Sequence, residues 1–312
     1  MEKLVIATRR SQLALWQSEY IKAQLQEFYP DMQIELQEFV TKGDKILDVP
    51  LAKIGGKGLF TKELEMAMLE GTAHLAVHSL KDVPTQFEEG LQLAAVTKRF
   101  DPRDALLSNK YSSIDELPQG AVVGTTSLRR RMAIMMLRPD IVLKDLRGNI
   151  NTRIAKLNAG EYDAIILAAT GIQKLKIENE VKYFNPIPTD VMIPSMGQAT
   201  LGIETTNDPR IVELVSVLND RDAHIESTIE RSFVDALQGG CQVPIGVKAT
   251  IIDENSIRVQ AIVGLPDGTE SISEDITADI EEFETIGQNL AQTFIDQGAK
   301  ELLVRAEELA FK

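Results

Sequence analysis

The apolar positions near the start of the chain fall into two alternating rhythms. Leu4, Val5, Ile6 and Ala7 form a short continuous run, which reads as a buried strand over residues 3–7. A polar loop, Thr8-Arg-Arg-Ser11, follows, and Ser11 is placed to cap a helix. Leu13, Trp16 and Tyr20, then Ile21, Leu25 and Phe28, recur at helical spacing, and Pro30 ends that helix near residue 29. A second strand is predicted over 33–40. Strand, helix, strand is a βαβ unit, which requires a parallel sheet. The rhythm continues with a helix capped by Thr61, its face lined by Leu64, Ala67 and Met68 and its end marked by Gly71. Strands over 73–79 and 91–97 come next. Asp101-Pro-Arg-Asp104 reads as a crossing into a second unit of the same kind. That unit has strands at 122–123, 141–146 and 163–169, a helix from residue 128, and another closed by Gly160. Pro186, Pro188 and Pro194 mark a returning connection, and residues 201–205 rejoin the first sheet. Helices over 208–219 and 223–237, strands over 245–251 and 256–263, an Asp267-Gly268 turn and helices from about residue 282 complete a third unit. The predicted fold class is α/β plus α+β.

Composition narrows the class. A chain of 312 residues is long enough for two or three domains. No apolar run is long enough to span a membrane, and the first residues lead straight into a strand without the layout of a signal peptide. A single cysteine excludes an internal disulfide framework and fits a reducing cytoplasm. The net charge of −14 argues against general nucleic-acid binding. That charge is uneven. Residues 253–312 hold 14 acidic and 4 basic side chains, whereas residues 121–153 hold 7 basic and 2 acidic ones. A basic stretch kept in an acidic protein is either a solvated face or a site for a small anion. Three histidines, His74, His78 and His224, lack the spacing of a metal site, and no metal is expected.

Candidate chemistry gathers after the strands, where open parallel sheets bind ligands. Ser79, Lys81 and Asp82 follow one strand; Gly124-Thr-Thr-Ser127 feeds the helix carrying Arg129 and Arg130; Arg147 and Arg153 flank the next turn. Free N–H groups at a helix start favour an anion. Buried like-charged arginines are costly unless an anion neutralises them, so a phosphate or polycarboxylate ligand is expected. Leu51-Ala-Lys-Ile-Gly-Gly-Lys-Gly58 places Lys53 and Lys57 on a glycine-rich loop without the spacing of a nucleotide-binding loop. Arg131 and Arg138 read as surface pairs. Trp16, Met132, Met135 and Met136 read as core. Cys241 stands in Gly239-Gly-Cys-Gln-Val-Pro244, between a helical and a strand-like run. It is a small buried hydrophobe or a thiol presented on a shaped turn.

His78-Ser-Leu-Lys-Asp-Val-Pro84, Gly124-Thr-Thr-Ser-Leu-Arg-Arg130, Arg147-Gly-Asn149 and Gly239-Gly-Cys-Gln-Val-Pro-Ile-Gly246 resemble, as a set, the porphobilinogen deaminase family, the hydroxymethylbilane synthases. The likeness covers nearly the whole chain. It implies two α/β domains like those of periplasmic binding proteins, flanking a cleft, and a smaller C-terminal α+β domain. The implied boundaries are 1–98 with 198–216, then 103–191, then 221–312. It implies a transferase of porphyrin and haem biosynthesis, a cytoplasmic monomer with no nucleic-acid or membrane partner. Four porphobilinogens would be joined head to tail, with loss of ammonia, on a dipyrromethane cofactor bound to Cys241 by a thioether. By resemblance Asp82 is the catalytic carboxylate, although Asp44 competes on local sequence. Ser79, Lys81, Asp82, Thr125, Ser127, Arg129, Arg130 and Gly148 would hold the cofactor. Arg9, Ser11, Lys53, Lys57, Arg147, Arg153, Lys174 and Gln198 would hold substrate. Two positions depart from the family: Lys174 stands where arginine is common, and Ala199 where glycine is common. A solute-binding module and a phosphate-binding transferase are the rival readings.

Overall fold

The structure is a computed structural model and describes residues 3–45, 60–238 and 243–310. Cys241, Lys53 and Lys57 lie outside them, as does the side chain of Asp44. The chain opens with β1 (Lys3–Arg9), α1 (Gln12–Phe28), β2 (Gln33–Phe39), a single turn α2 (Lys42–Lys45), α3 (Lys62–Leu69), β3 (Leu75–Ser79) and β4 (Leu91–Val96). It crosses into β5 (Asp104–Ser108), β6 (Val122–Gly124), α4 (Leu128–Leu137), β7 (Val142–Lys144), α5 (Ile150–Asn158), β8 (Ala164–Ala168), α6 (Ala169–Leu175) and β9 (Tyr183–Pro186). It returns as β10 (Leu201–Thr206) and α7 (Pro209–Ser216). It ends in α8 (Arg221–Ala236), β11 (Ile245–Ile251), β12 (Ser256–Gly264), β13 (Ser271–Asp279), α9 (Phe283–Asp296) and α10 (Ala299–Ala310).

Two five-stranded sheets share one topology, β2-β1-β3-β10-β4 and β7-β6-β8-β5-β9. Each has a parallel trio and one strand, β10 or β5, antiparallel to both its neighbours. Each antiparallel strand comes directly after a crossing from the other lobe. The first lobe buries Leu4, Ile6, Ile21, Leu25, Leu75, Val77 and Ile203 on one face of its sheet, with α1 and α7. On the other face Ala7 and Ala76 pack against Leu64, Ala67 and Met68 of α3. β11, β12 and β13 form a three-stranded antiparallel sheet under α8 and α9. Gly287 permits that helix pair, since a Cβ there would lie 2.3 Å from the Ile229 carbonyl oxygen.

β5, β9 and β13 escape the periodicity reading; β13 alternates intermediate and exposed positions and buries none of them. β5 is buried at all five positions and begins with a carboxylate, while β9 carries Pro186. Other expectations need correction. Thr61 precedes α3 but its hydroxyl makes no cap hydrogen bond. Met132 is buried, yet Met136 is 45% exposed, because only one face of α4 meets the sheet. The buried face of α1 is Ala14, Gln17, Ser18, Ile21 and Leu25; Phe28 is exposed, and Trp16 is only half-buried.

The two crossings run side by side. The N–H of Thr97 donates to Leu201 O at 3.0 Å and that of Phe100 to Ala199 O at 2.8 Å. Ala199 has φ +70°, where an L side chain costs about 1–2 kcal/mol. This is the position at which the family commonly has glycine. The third unit is tied to the returning crossing through the buried Glu230 carboxylate. Glu230 accepts from Gly197 N at 2.6 Å and Ala249 N at 3.0 Å, and pairs with Arg99 at 2.9 Å.

Candidate active site

The C-terminal end of β3 passes into a 3-10 turn, Leu80–Asp82. Leu80 is buried and its N–H donates to Thr200 O at 2.9 Å, so the turn is anchored to the returning crossing. Lys81 therefore points toward the same crossing, and its Nζ donates to Gln198 Oε1 at 3.2 Å. Burial pushes the Lys81 ammonium down to about 8, against the opposing pull of Asp82. Lys81 thus carries its charge at neutral pH and loses it under mildly alkaline conditions. Asp82 is exposed on the rim and makes no hydrogen bond to the described residues. It lies within the field of Lys81, Arg130 and Arg153, since all three respond to its charge. Ser79 Oγ accepts from Gln17 Nε2 at 2.8 Å, which fixes it to α1.

In the second lobe, Gly124 ends β6 beneath Tyr162; a Cβ there would lie 2.7 Å from the ring. Thr125 is buried and its Oγ1 accepts from Ser127 N at 3.3 Å. Ser127 precedes α4 without a side-chain cap bond. The first turn of α4 carries Arg129 and Arg130, both buried. Their partner is Asp104 at the start of β5, which is 0% exposed. Arg129 Nη1 donates to Asp104 Oδ2 at 2.7 Å and to Ile193 O at 2.8 Å. Arg130 donates to Asp104 Oδ1 through Nη2 at 2.7 Å and Nε at 3.0 Å, and to Ile166 O at 3.1 Å. The expectation that a ligand must neutralise these arginines is corrected here: the protein's own Asp104 does so. Burial alone would raise the Asp104 carboxyl, but the charges of Arg129 and Arg130 outweigh it and hold it far below the usual range. One carboxylate between two guanidiniums still leaves the region positive.

Removal of this carboxylate has a definite expected result. Asp104→Asn should destabilise the fold by about 3–5 kcal/mol, because two buried guanidiniums lose their counter-charge. The denaturant midpoint reads this directly. The folded-state depression means that the contribution is present above the unfolded pKa and is lost as pH falls through the folded value. The variant and parent should therefore converge only in strong acid.

Arg147 and Arg153 behave differently. Asn149 caps α5 by accepting from Thr152 N at 2.9 Å. Gly148 has φ +111°, and a Cβ on it would meet Thr152 at 2.7 Å. Arg153 Nε donates to Gly148 O at 2.8 Å. Burial, and then repulsion from Arg130 and Arg147, pull Arg153 down to about 10. Burial also lowers Arg147, and its buried Nη2 has no hydrogen-bond partner. Neither arginine has a carboxylate partner among the described residues. Each feels one carboxylate at a distance, Asp145 for Arg147 and Asp82 for Arg153, and Arg153 also feels Arg130 and Arg147, so the group keeps an excess of positive charge, which favours carboxylates.

The remaining sequence-derived candidates spread out. Arg9 lies over the Phe60 ring, 4.3 Å from its centroid. Ser11 Oγ accepts from Ala14 N at 3.3 Å, so its hydroxyl serves as the helix cap. Gln198 is fully buried, and its Nε2 donates to Pro102 O at 2.7 Å and Asp104 Oδ1 at 3.1 Å. It joins Lys81 of one lobe to Asp104 of the other. Lys174 sits on aromatic rings. Arg131 pairs with Asp145 at 2.7 Å, and Arg138 with Asp140 at 2.8 Å while also donating to Ile114 O and Leu117 O. No cluster of potential metal ligands occurs among the described residues. Asp104 and Gln17 were missed from sequence; the charged pattern of Asp101-Pro-Arg-Asp104 was the one signal for the former.

Comparison with known proteins supplies the family. Residues 4–213 match the model described as "Porphobilinogen deaminase, dipyromethane cofactor binding domain", and residues 224–296 match "Porphobilinogen deaminase, C-terminal domain". The chain is 86% identical over 312 residues to a porphobilinogen deaminase of Aliarcobacter butzleri, covering 100% of both chains. It is 59% identical over 309 residues to one from Sulfurimonas denitrificans, covering 99% of each. Among solved structures, the periplasmic aliphatic sulphonate binding protein SsuA from Escherichia coli aligns at 15% identity and a TM-score of 0.37, over 76% of this chain and 70% of that one.

Proposed function

The chain belongs to the porphobilinogen deaminase family, and from this premise we propose which of its residues carry the reaction. The enzyme is a hydroxymethylbilane synthase, a transferase that condenses porphobilinogen head to tail with loss of ammonia. Its cofactor is dipyrromethane. Membership sets aside the solute-binding and phosphate-transferase readings.

The observation that carries the assignment of residues is that Arg147 and Arg153 form no ion pair among the described residues, Arg147 with an orphaned buried Nη2 and Arg153 within reach of Arg130 and Asp82. Each pyrrole of substrate and cofactor bears an acetate and a propionate. In our reading Arg147, Arg153 and Arg9 bind these carboxylates, with Lys53 and Lys57 assisting. Lys81, Ser79, Thr125, Ser127, Gly148, Arg129 and Arg130 line or support the cofactor cradle. Arg129 and Arg130 do so while paired to Asp104, so they act as a fixed positive wall more than as free forks. Cys241, the only thiol in the chain, holds the cofactor by a thioether. Bound dipyrromethane supplies the pyrrole carbon to which the first substrate is joined.

Asp82 faces the pyrrole N–H groups in this scheme. As the carbon–nitrogen bond to the departing ammonia breaks, positive charge spreads into the substrate ring. A carboxylate held nearby stabilises that charge more than it stabilises the neutral ring. Lys81 and the arginines orient the ring by its carboxylates and keep it from rotating away. The lobes, joined by Gln198, enclose the reacting groups.

We divide the chain into 1–98 with 198–216, 103–191 and 221–312, in keeping with membership of the three sheets. We place the enzyme in the cytoplasm as a monomer without nucleic-acid or membrane partners. The charge of −14 weighs against a nucleic-acid partner and the lone cysteine fits a reducing cytoplasm. No described helix is long and apolar enough to cross a membrane.

Arg147→Leu tests the arginine roles. A charge-assisted contact is worth about 1.5–3 kcal/mol, so kcat/KM should fall roughly 10- to 100-fold. Enzyme-bound intermediates should accumulate, visible as a ladder on native gels. Unchanged kinetics, with only the salt dependence altered, would make Arg147 a surface charge.

A further inference from the structure

Lys174 and Trp16 meet where the two lobes touch. Along this seam α1 of the first lobe faces α5 and α6 of the second. Asn151 Nδ2 donates to Gln12 Oε1 at 2.8 Å, and a Cβ on Gly171 would lie 3.8 Å from Leu13. Trp16 and Tyr20 stack at 5.2 Å with 13° between their planes. Both meet Phe100 edge-on, at 6.2 Å and 5.6 Å. Phe100 belongs to neither helix; it lies on the first crossing and is bonded to Ala199 on the second. Lys174 Nζ sits 3.5 Å from the Phe100 centroid and 5.5 Å from that of Trp16. No carboxylate pairs with it among the described residues, and burial lowers its ammonium from the usual range. A single cation therefore touches the second lobe's own helix, the crossing and the first lobe.

We propose that Lys174 is a positioning residue, an interlobe latch whose ammonium, seated on the faces of Phe100 and Trp16, holds the cleft in its working arrangement instead of binding a substrate carboxylate. An aromatic face attracts a cation through its quadrupole, and the attraction grows when water is excluded. The place is already filled on its electronegative side by two rings, which leaves the ammonium engaged without any ligand. Such a contact is weak enough to break and reform as the lobes move around a lengthening product. Loss of the cation should reduce the population of the working arrangement without altering how that arrangement grips the substrate.

The test is steady-state kinetics of the holoenzyme with porphobilinogen. Lys174→Met should lower kcat by about threefold to thirtyfold, the range spanned by cation–ring contacts from exposed to desolvated, and leave KM within about twofold. Lys174→Arg should restore most of the loss, since a guanidinium also sits on a ring. Phe100→Leu should lower kcat at least as far, since it also removes the edge contacts to Trp16 and Tyr20, and Lys174→Met added to it should cost less than Lys174→Met costs in the parent, because the nearer ring is already gone. Trp16 is the only tryptophan, so its emission in the resting holoenzyme should change in Lys174→Met. If the methionine variant fails to fold, Lys174→Gln is read in the same way. A tenfold or greater rise in KM at unchanged kcat would overturn the latch and make Lys174 a carboxylate ligand. Additive losses in the double variant, or no change in either constant, would also overturn it. Wild-type turnover in the same assay tests the activity itself, so its failure is distinct from that of the latch.

Discussion

Asp82→Asn is expected to lower kcat by roughly 10²–10³-fold, with KM changed only a few-fold, the size of effect seen when one group that stabilises developing charge is removed. Asparagine keeps the shape of the side chain and discards its charge. In the free enzyme Asp82 is exposed and unbonded to the described protein, so its replacement removes no structural contact. Thermal stability should accordingly stay close to that of the parent. The surroundings explain why this carboxylate is available. Asp104 is locked between Arg129 and Arg130, whereas Asp82 stands on a short turn that is anchored by its neighbours, through the Leu80 N–H and Lys81 Nζ, and not by its own carboxylate. Its charge acts on the cationic neighbours Lys81, Arg130 and Arg153, yet none of them forms an ion pair that covers it. Positive charge on the substrate ring appears only as ammonia departs, so the interaction belongs to the transition state and appears in kcat. Near-normal turnover by the variant would remove Asp82 from the mechanism and direct attention to Asp44.

Cys241→Ser should yield a protein without covalent cofactor and without turnover. The chain has one cysteine, so no second thiol can substitute. A thiolate is a strong nucleophile near neutral pH, while a serine hydroxyl needs an adjacent base to approach it. Intact mass under denaturing, reducing conditions is the measurement. A thioether survives both, a disulfide does not survive reduction, and a non-covalent ligand leaves on unfolding. The wild-type mass should exceed the chain mass by a dipyrromethane, mapped to the peptide containing Cys241, and the serine variant should lack the increment. A fully active wild-type preparation with the bare chain mass would sink the thioether assignment.

Much of the fold was legible because its signals are local. The βαβ rhythm, Ser11 as the α1 cap, Asp208 and Pro209 at the start of α7, and Gly160 at positive φ after α5 each depend on a few adjacent residues. The burial of α1 was less legible. Its Leu13-Trp16-Tyr20 stripe has core-like spacing, yet it faces another lobe, and spacing cannot distinguish a core from a seam. β5 was missed because it enters its sheet antiparallel, brings a carboxylate inside and belongs to a lobe whose other strands come later in sequence.

The sequence by itself determined the fold class, the order of the strand ends and the chemical types gathered there: arginines, Lys81, Asp82 and one thiol. These follow from periodicity, turn residues and motif order, which are properties of short stretches. Only the tertiary structure decided which of those charges remain free for a ligand. Asp104 lies 25 and 26 residues before the arginines it neutralises, and Gln198 lies 117 residues from the Lys81 it holds. Whether a buried guanidinium already has its counter-charge depends on which strands become neighbours. That is why Arg129 and Arg130 proved to be internally paired while Arg147 and Arg153, with the same local signature, have no carboxylate partner among the described residues.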